Sequence, residues 1–179
     1  LPEVFSMNLE KVQDLRYGEN PHQAAALYKK TSNVEFKLLH GKELSYNNMV
    51  DLSSALNIVS EFIDVPAACI IKHNNPCGVA LGKTITEAYL KAHGCDPISA
   101  FGGIIGLNEI VTKEIAEHAI QIFFEVIVAP DFTEDALEIL RTKKNLRLVK
   151  LPVNLLEYRT AQKFTIKDLP FGTLIQDAD

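Results

Sequence analysis

Leu52, Ala55, Leu56, Val59 and Phe62 recur at spacings of three and four, which lines them up on one face of a helix from about Val50 to Ile63. Pro66 ends that pattern. The run Ala67-Ala68-Cys69-Ile70-Ile71 that follows is continuously apolar and of strand length, as suits a strand covered on both faces. Thr84-Ile85-Thr86-Glu87 has the form of a capping box, so a helix starts there and runs to about His93, with Gly94 as the left-handed residue beyond its end. Ile104 to Leu107 reads as a strand, Thr112 caps a helix to about Phe123, and Val126-Ile127-Val128 is a further buried strand stopped by Pro130. Thr133 opens another helix, with Glu134 and Asp135 in its first turn and Arg141, Lys143 and Lys144 in its last, the charge order that the helix dipole favours. Leu146 to Leu151 closes the series as a strand.

From Val50 onward the order is therefore helix and strand in alternation with short connections. Strands separated by single helices run parallel, so the expected fold class is α/β, a three-layer α/β/α unit with a mostly parallel sheet. Residues 1–50 are richer in turn formers, with short strands expected at Ala24–Tyr28 and Phe36–Leu39. Three regions follow from this: an N-terminal hairpin and loop region over 1–50, the layered unit over 50–151, and a connector or hairpin over 152–179.

Charge and cysteine content narrow the partners. Lys and Arg number 18 against 23 Asp and Glu, and the excess is spread: 6 bases against 7 acids in residues 1–60, 4 against 7 in 61–120, 8 against 9 beyond. No basic face able to grip a phosphate backbone emerges, so nucleic acid is not expected as a partner. No apolar stretch is long enough to cross a bilayer, so no membrane is expected either. Three cysteines, Cys69, Cys77 and Cys95, form an odd set without C-x-x-C or zinc spacing, and a cytoplasmic location fits best. Leu1 stands where an initiator Met would, and the chain is expected to be a piece of something longer.

Ligands of open parallel sheets sit beyond the carboxyl ends of the strands, and three segments are unusual there. Lys72-His73-Asn74-Asn75-Pro76-Cys77-Gly78 puts an ammonium beside a titratable imidazole at a strand end. A solvated Lys72 and a His73 making a local turn hydrogen bond explain the pair equally well. Asp96-Pro97-Ile98-Ser99-Ala100-Phe101-Gly102-Gly103 has paired glycines whose free N–H groups suit an anionic oxygen, although a tight turn needs them just as much. Arg16-Tyr17-Gly18-Glu19-Asn20-Pro21-His22-Gln23 offers a guanidinium and a phenol for a phosphate and a ring; alone it is a polar turn. A zinc deaminase requires H-x-E and P-C-x-x-C, and Pro76-Cys77 supplies only the start of the second motif. No metal site is expected. A Cys77 nucleophile paired with His73 has little to support it, because nothing in the spacing forces the two into contact.

Taken together, Arg16 to Gln23, Ser45-Tyr46-Asn47-Asn48-Met49-Val50-Asp51, Lys72 to Gly78, Asp96 to Gly103 and Glu125-Val126-Ile127-Val128-Ala129-Pro130 resemble the family of bifunctional purine biosynthesis proteins. These join an aminoimidazole carboxamide ribotide (AICAR) formyltransferase to an IMP cyclohydrolase. Phe171 to Asp179 is similar to the segment that closes the first half of the formyltransferase domain. The resemblance implies a cytidine-deaminase-like unit and formyl transfer from 10-formyltetrahydrofolate, as co-substrate, to the 5-amino group of AICAR. His73 matches the family's general base and Lys72 the lysine that stabilises the oxyanion and the leaving folate nitrogen. Arg16, Tyr17, Gly102 and Glu125 match substrate-binding positions, in a site shared across a homodimer. The cyclohydrolase region and the second half of the formyltransferase domain have no counterpart in these residues, so the isolated chain is expected to be inactive. A purine-nucleotide-binding module without chemistry, and a zinc-independent relative of the nucleoside deaminases, are the alternatives.

Overall fold

The structure is a computed structural model that describes residues 1–29, 34–151 and 154–178. A six-stranded sheet forms its centre. Strand β3 (Lys37–His40) lies at one edge, then β8 (Arg147–Lys150), β7 (Val126–Ala129), β6 (Ile104–Leu107), β4 (Ala67–Lys72) and, at the other edge, β5 (Asn75–Leu81). One face carries α2 (Ile85–Cys95), α3 (Lys113–Ala119) and α4 (Glu134–Leu140), packed on Ala68, Ile70, Ile105, Leu107, Ile127 and Leu148. The other carries α1 (Tyr46–Val59) and α5 (Leu155–Ala161), packed on Cys69, Ile71, Ile104, Val126, Val128 and Val149. Neighbouring residues of the apolar strands thus enter opposite cores, which is why those strands show no polar alternation. Two antiparallel ribbons lie outside the sheet: β1 (Glu10–Leu15) with β2 (Ala25–Lys29), and β9 (Phe164–Leu169) with β10 (Gly172–Asp177), the latter a hairpin within the expected connector region.

The three-layer α/β/α class holds, and β5, β6, β7 and β8 point the same way. One step of the topological reasoning does not hold. Strand β4 runs antiparallel to β6, because the chain turns back after Lys72 and forms β5 before α2 begins. Residues expected as a loop, Asn75 to Gly78, are edge strand; Pro76 is tolerated there because an edge position needs no N–H toward solvent. The sheet is accordingly mixed, with β3 antiparallel to β8 at the far edge.

Local signals fixed most boundaries. Thr84, Thr112 and Thr133 all cap helices, accepting from the backbone N–H three residues on. Strands β2 and β3 fall one residue later than expected. Helix α1 starts at Tyr46 rather than Val50: Ser45 caps it, and Asn48 completes a reciprocal box in which the Ser45 hydroxyl accepts from Asn48 N at 3.1 Å and Asn48 Oδ1 accepts from Ser45 N at 3.2 Å. Asn in place of Glu or Gln hides that box from a sequence pattern. Gly94 is not the left-handed end of α2; the helix runs through it to Cys95. Helices α3 and α4 are single short pieces, so Arg141 is the cap residue of α4, and Lys143 and Lys144 lie beyond it in the turn to β8.

Candidate functional site

The β4–β5 connection is a two-residue hairpin, with Lys72 paired to Asn75 and His73 and Asn74 between them. Both central residues have positive φ, 53° and 63°. Tight hairpins require this left-handed pair because it matches the strand twist, and they normally fill it with Asn-Gly. A β-branch-free His with a Cβ occupies it here, and the side chain is thrown clear of the sheet into solvent. Asp51 of α1 receives both tip amides, His73 N at 3.2 Å and Asn74 N at 2.6 Å, one on each carboxylate oxygen. Ser54, one turn further along α1, donates to Asn74 Oδ1.

His73 opens on a shallow cleft of about 360 Å³ lined by Glu19, Tyr46, Asn47, Val50, Asp51 and Asn74. Lys72 is half-buried, and its ammonium crosses to the next loop, donating to the Phe101 carbonyl at 2.7 Å. Phe101 and Phe123 stack obliquely with ring centres 5.3 Å apart, both largely exposed, over a second cleft of about 450 Å³ that Lys143 and Lys144 border. The Lys–His pair therefore stands between two openings of different character, one lined by polar and acidic groups, the other by rings and cations.

Because β4 is reversed, its carboxyl end lies beside the amino ends of β6, β7 and β8. The expectation of a site at the carboxyl ends of a parallel sheet is corrected accordingly: Lys72 ends β4 and His73 follows it, whereas Gly102 and Glu125 precede β6 and β7. Gly102 needs its glycine, with φ at 78°, but neither paired glycine offers a free N–H. Gly102 N donates to Phe123 O at 2.7 Å and Gly103 N to Ala100 O at 3.0 Å. Glu125 is half-buried and is held by Asn48, whose Nδ2 donates to Glu125 Oε2 at 2.8 Å.

Arg16 and Tyr17 stand apart from this group. The guanidinium lies over the neighbouring Tyr17 ring at 5.7 Å from its centre, and neither residue lines the His73 cleft. Their loop reaches the cleft through Glu19, whose carbonyl accepts from Asn47 Nδ2 at 3.3 Å. The sequence motifs assign no role to Asn48 and Asp51, the side chains that bind Glu125 and the His73 tip respectively. Their signal is a three-residue spacing of polar side chains, Asn48, Asp51 and Ser54, beside the apolar stripe of Leu52, Ala55, Leu56 and Val59.

Cys77 occupies a bulge, where the register between β4 and β5 shifts, and packs against the α2-side core. Burial pushes its thiol up from the ordinary value and the Asp96 carboxylate adds to this, against a smaller opposing effect of Lys72. Such a thiol is protonated at neutral pH and is a poor nucleophile. Cys69 is deeper still, pushed up to about 12 by burial. Among the described residues, no three His, Cys, Asp or Glu side chains gather so as to hold a metal ion, and no helix is long and apolar enough to cross a membrane.

Comparison with known proteins agrees with the motifs. The family model described as "AICARFT/IMPCHase bienzyme" matches residues 1–179. The bifunctional purine biosynthesis protein PurH of Clostridium botulinum (strain Loch Maree / Type A3) is 52% identical over 182 residues, covering 99% of this chain and 35% of the relative. PurH of Halalkalibacterium halodurans is 52% identical over 183 residues with the same coverage. PurH of Clostridium perfringens (strain SM101 / Type A) is 54% identical over 153 residues, or 83% of this chain and 30% of the relative. The chain spans about a third of the length of the curated relatives it matches. With the family model matched along all 179 residues and half the positions identical to these relatives, the chain belongs to the AICARFT/IMPCHase bienzyme family.

Proposed function

We propose that this chain supplies the proton-abstracting and oxyanion-stabilising groups of an AICAR formyltransferase in purine biosynthesis. The amine of AICAR is a weak nucleophile because its lone pair delocalises into the imidazole carboxamide. It must lose its proton as it attacks the formyl carbon of 10-formyltetrahydrofolate. His73 takes that proton. Lys72 faces the oxygen that becomes negative at the formyl carbon and then assists departure of the folate nitrogen. Arg16 and Tyr17 bind the nucleotide's phosphate and ring, Gly102 contributes a backbone contact, and Glu125 recognises the nucleotide. The complete site is shared between two copies of the parent protein, which works in the cytoplasm and needs no metal from this segment.

One observation carries the reading: the His73 side chain stands at the exposed tip of a hairpin, next in sequence to Lys72 and open to the cleft. A general base needs access to the substrate proton, and an adjacent cation suits the charge that develops one bond away. The test is His73→Ala in a full-length protein carrying this segment, assayed for formyl transfer. A fall in kcat of about 10²- to 10⁴-fold is expected for loss of a positioned base; an unchanged rate sinks the assignment. The 179-residue chain alone is expected to give no measurable turnover of AICAR with 10-formyltetrahydrofolate, since it spans 35% of the relatives' length.

A further inference from the structure

Helix α1 presents Asn48, Asp51 and Ser54 at intervals of three, so the three share one face. Each is bonded to a different part of the site. Asn48 holds Glu125 at 2.8 Å, Asp51 accepts from the amides of His73 and Asn74 at 3.2 and 2.6 Å, and Ser54 donates to the Asn74 side chain. The remaining face of the helix, with Leu52, Ala55, Leu56 and Val59, is buried against the sheet. The helix is therefore anchored by its apolar side and meets the site with its polar side.

The hairpin tip is where that polarity matters. His73 and Asn74 both sit in the left-handed region, which is costly for a residue with a Cβ and which an isolated His-Asn pair would seldom hold. Successive amides in such a turn point the same way and form a small anion-binding concavity. The Asp51 carboxylate fills it. We propose that Asp51 is the positioning residue for His73: by accepting both tip amides it locks the left-handed backbone, and this fixes the direction in which the imidazole leaves the chain. Asn48 sets Glu125 from the same helix face, so one rigid element aligns the base with the nucleotide-recognising carboxylate. The inference rests on the reading of His73 as the base.

The test uses the full-length protein. Asp51→Ala is expected to lower kcat roughly 10²-fold, the scale of an ångström of misplacement at a reacting group, with the KM for AICAR nearly unchanged. Adding Asn74→Gly, which lets the tip adopt positive φ without strain, is expected to recover about tenfold of the loss. A role in stability alone would move Tm and leave both the kcat loss and its rescue absent. Asp51→Asn keeps the shape and one acceptor, and it takes the place of the alanine variant if that one does not fold, with a smaller loss of the same kind. An unchanged kcat in the Asp51 variants, beside a large loss in His73→Ala, overturns the positioning role and leaves the base standing. A rise in KM at constant kcat also overturns it, because Asp51 would then be touching the ligand. An unchanged kcat in His73→Ala overturns both readings.

Discussion

The two ends of the central sheet are built from the same strands but do different things. At the carboxyl ends of β6 and β7, the helices α2, α3 and α4 begin close together, and Thr84, Thr112 and Thr133 each close their own first turn. The cap hydroxyls at that end serve their own helices, and the bonds that cross between elements there, Asn108 with Ala67 N and the Val65 carbonyl and Lys150 with Asp131, tie strand ends to the loops beside them. At the amino ends, side chains are satisfied between elements: Asp51 with the β4–β5 tip, Asn48 with Glu125, Lys72 with the Phe101 loop. The rule that places ligands at carboxyl ends follows strand direction. Strand β4, reversed like β3 at the far edge, carries its own carboxyl end to the amino ends of its neighbours, and the candidate site residues Lys72 and His73 go with it.

The sharpest break of this comparison is to cut one polar group at each end. His73→Ala in the full-length protein is expected to cost about 10²- to 10⁴-fold in transfer rate. Thr112→Ala, at the other end, is expected to leave that rate within about twofold while costing ~1 kcal/mol of stability through the lost cap. Equal effects of the two substitutions on turnover would mean that the ends do not differ in the way described.

The next largest effect concerns how the hairpin is held at its end of the sheet. Gly78 of β5 lies so close to α2 that a Cβ there would sit 2.0 Å from the Ala92 carbonyl oxygen and 2.9 Å from Cys95 Cβ. Backbone cannot give way as a flexible side chain would. Gly78→Ala is therefore expected to cost at least ~3 kcal/mol, the upper range for forced overpacking, measurable by urea unfolding. A loss below ~1 kcal/mol would mean that the strand edge yields easily, and the rigid hairpin support would have to be abandoned.

What could be read from sequence divides along the same line. Thr84, Thr112 and Thr133, and the apolar runs of β4, β6 and β7, announce themselves because cap and strand signals lie within a few residues. Strand β5 did not, because its turn holds His-Asn rather than Asn-Gly and its second residue is Pro76. Strand β1 did not, because EKVQDL pairs only with β2 and carries no buried face. At the site, Lys72, His73, Gly102 and Glu125 do converge on one end of the sheet, while Arg16 and Tyr17 approach only through Glu19. The partners that hold the site together, 77 residues apart for Asn48 and Glu125 and 22 for Asp51 and His73, have no local pattern to betray them.

A smaller effect, of opposite sign, comes from Gly94, which lies inside α2 with nothing within 4 Å of where a Cβ would point. Gly94→Ala is expected to raise stability by ~0.5–1 kcal/mol, since alanine gives up less backbone freedom in a helix. Together with Gly78→Ala it separates two glycines on facing elements: one required by close approach, one merely tolerated. A destabilised Gly94→Ala variant would show that α2 ends before this residue in solution.

The smallest effect separates the two ends by pH. At the carboxyl-end face, Glu87 is held below its usual value by Lys91 and by the Lys83 amide, Glu114 by its own amide and the Thr112 hydroxyl, and Asp135 by the Thr133 hydroxyl. At the other end, His93 in the last turn of α2 is lowered by burial and then by His118, whose ring lies 5.2 Å away. Both shifts make folding worse in acid, but in different windows. A base whose folded pKa is depressed contributes full stability above its unfolded value and loses it as pH falls through about 6.5 and below. A carboxyl group that is depressed keeps its contribution until pH falls below about 4.5. Acidification is therefore expected to weaken the α2–α3 contact at the site end first. Replacing His93 with Gln should flatten the decline of Tm between about pH 6.5 and 5 and leave the decline below pH 4.5 in place. If the upper limb survives the substitution, its cause lies in another group and the two ends share one acid response.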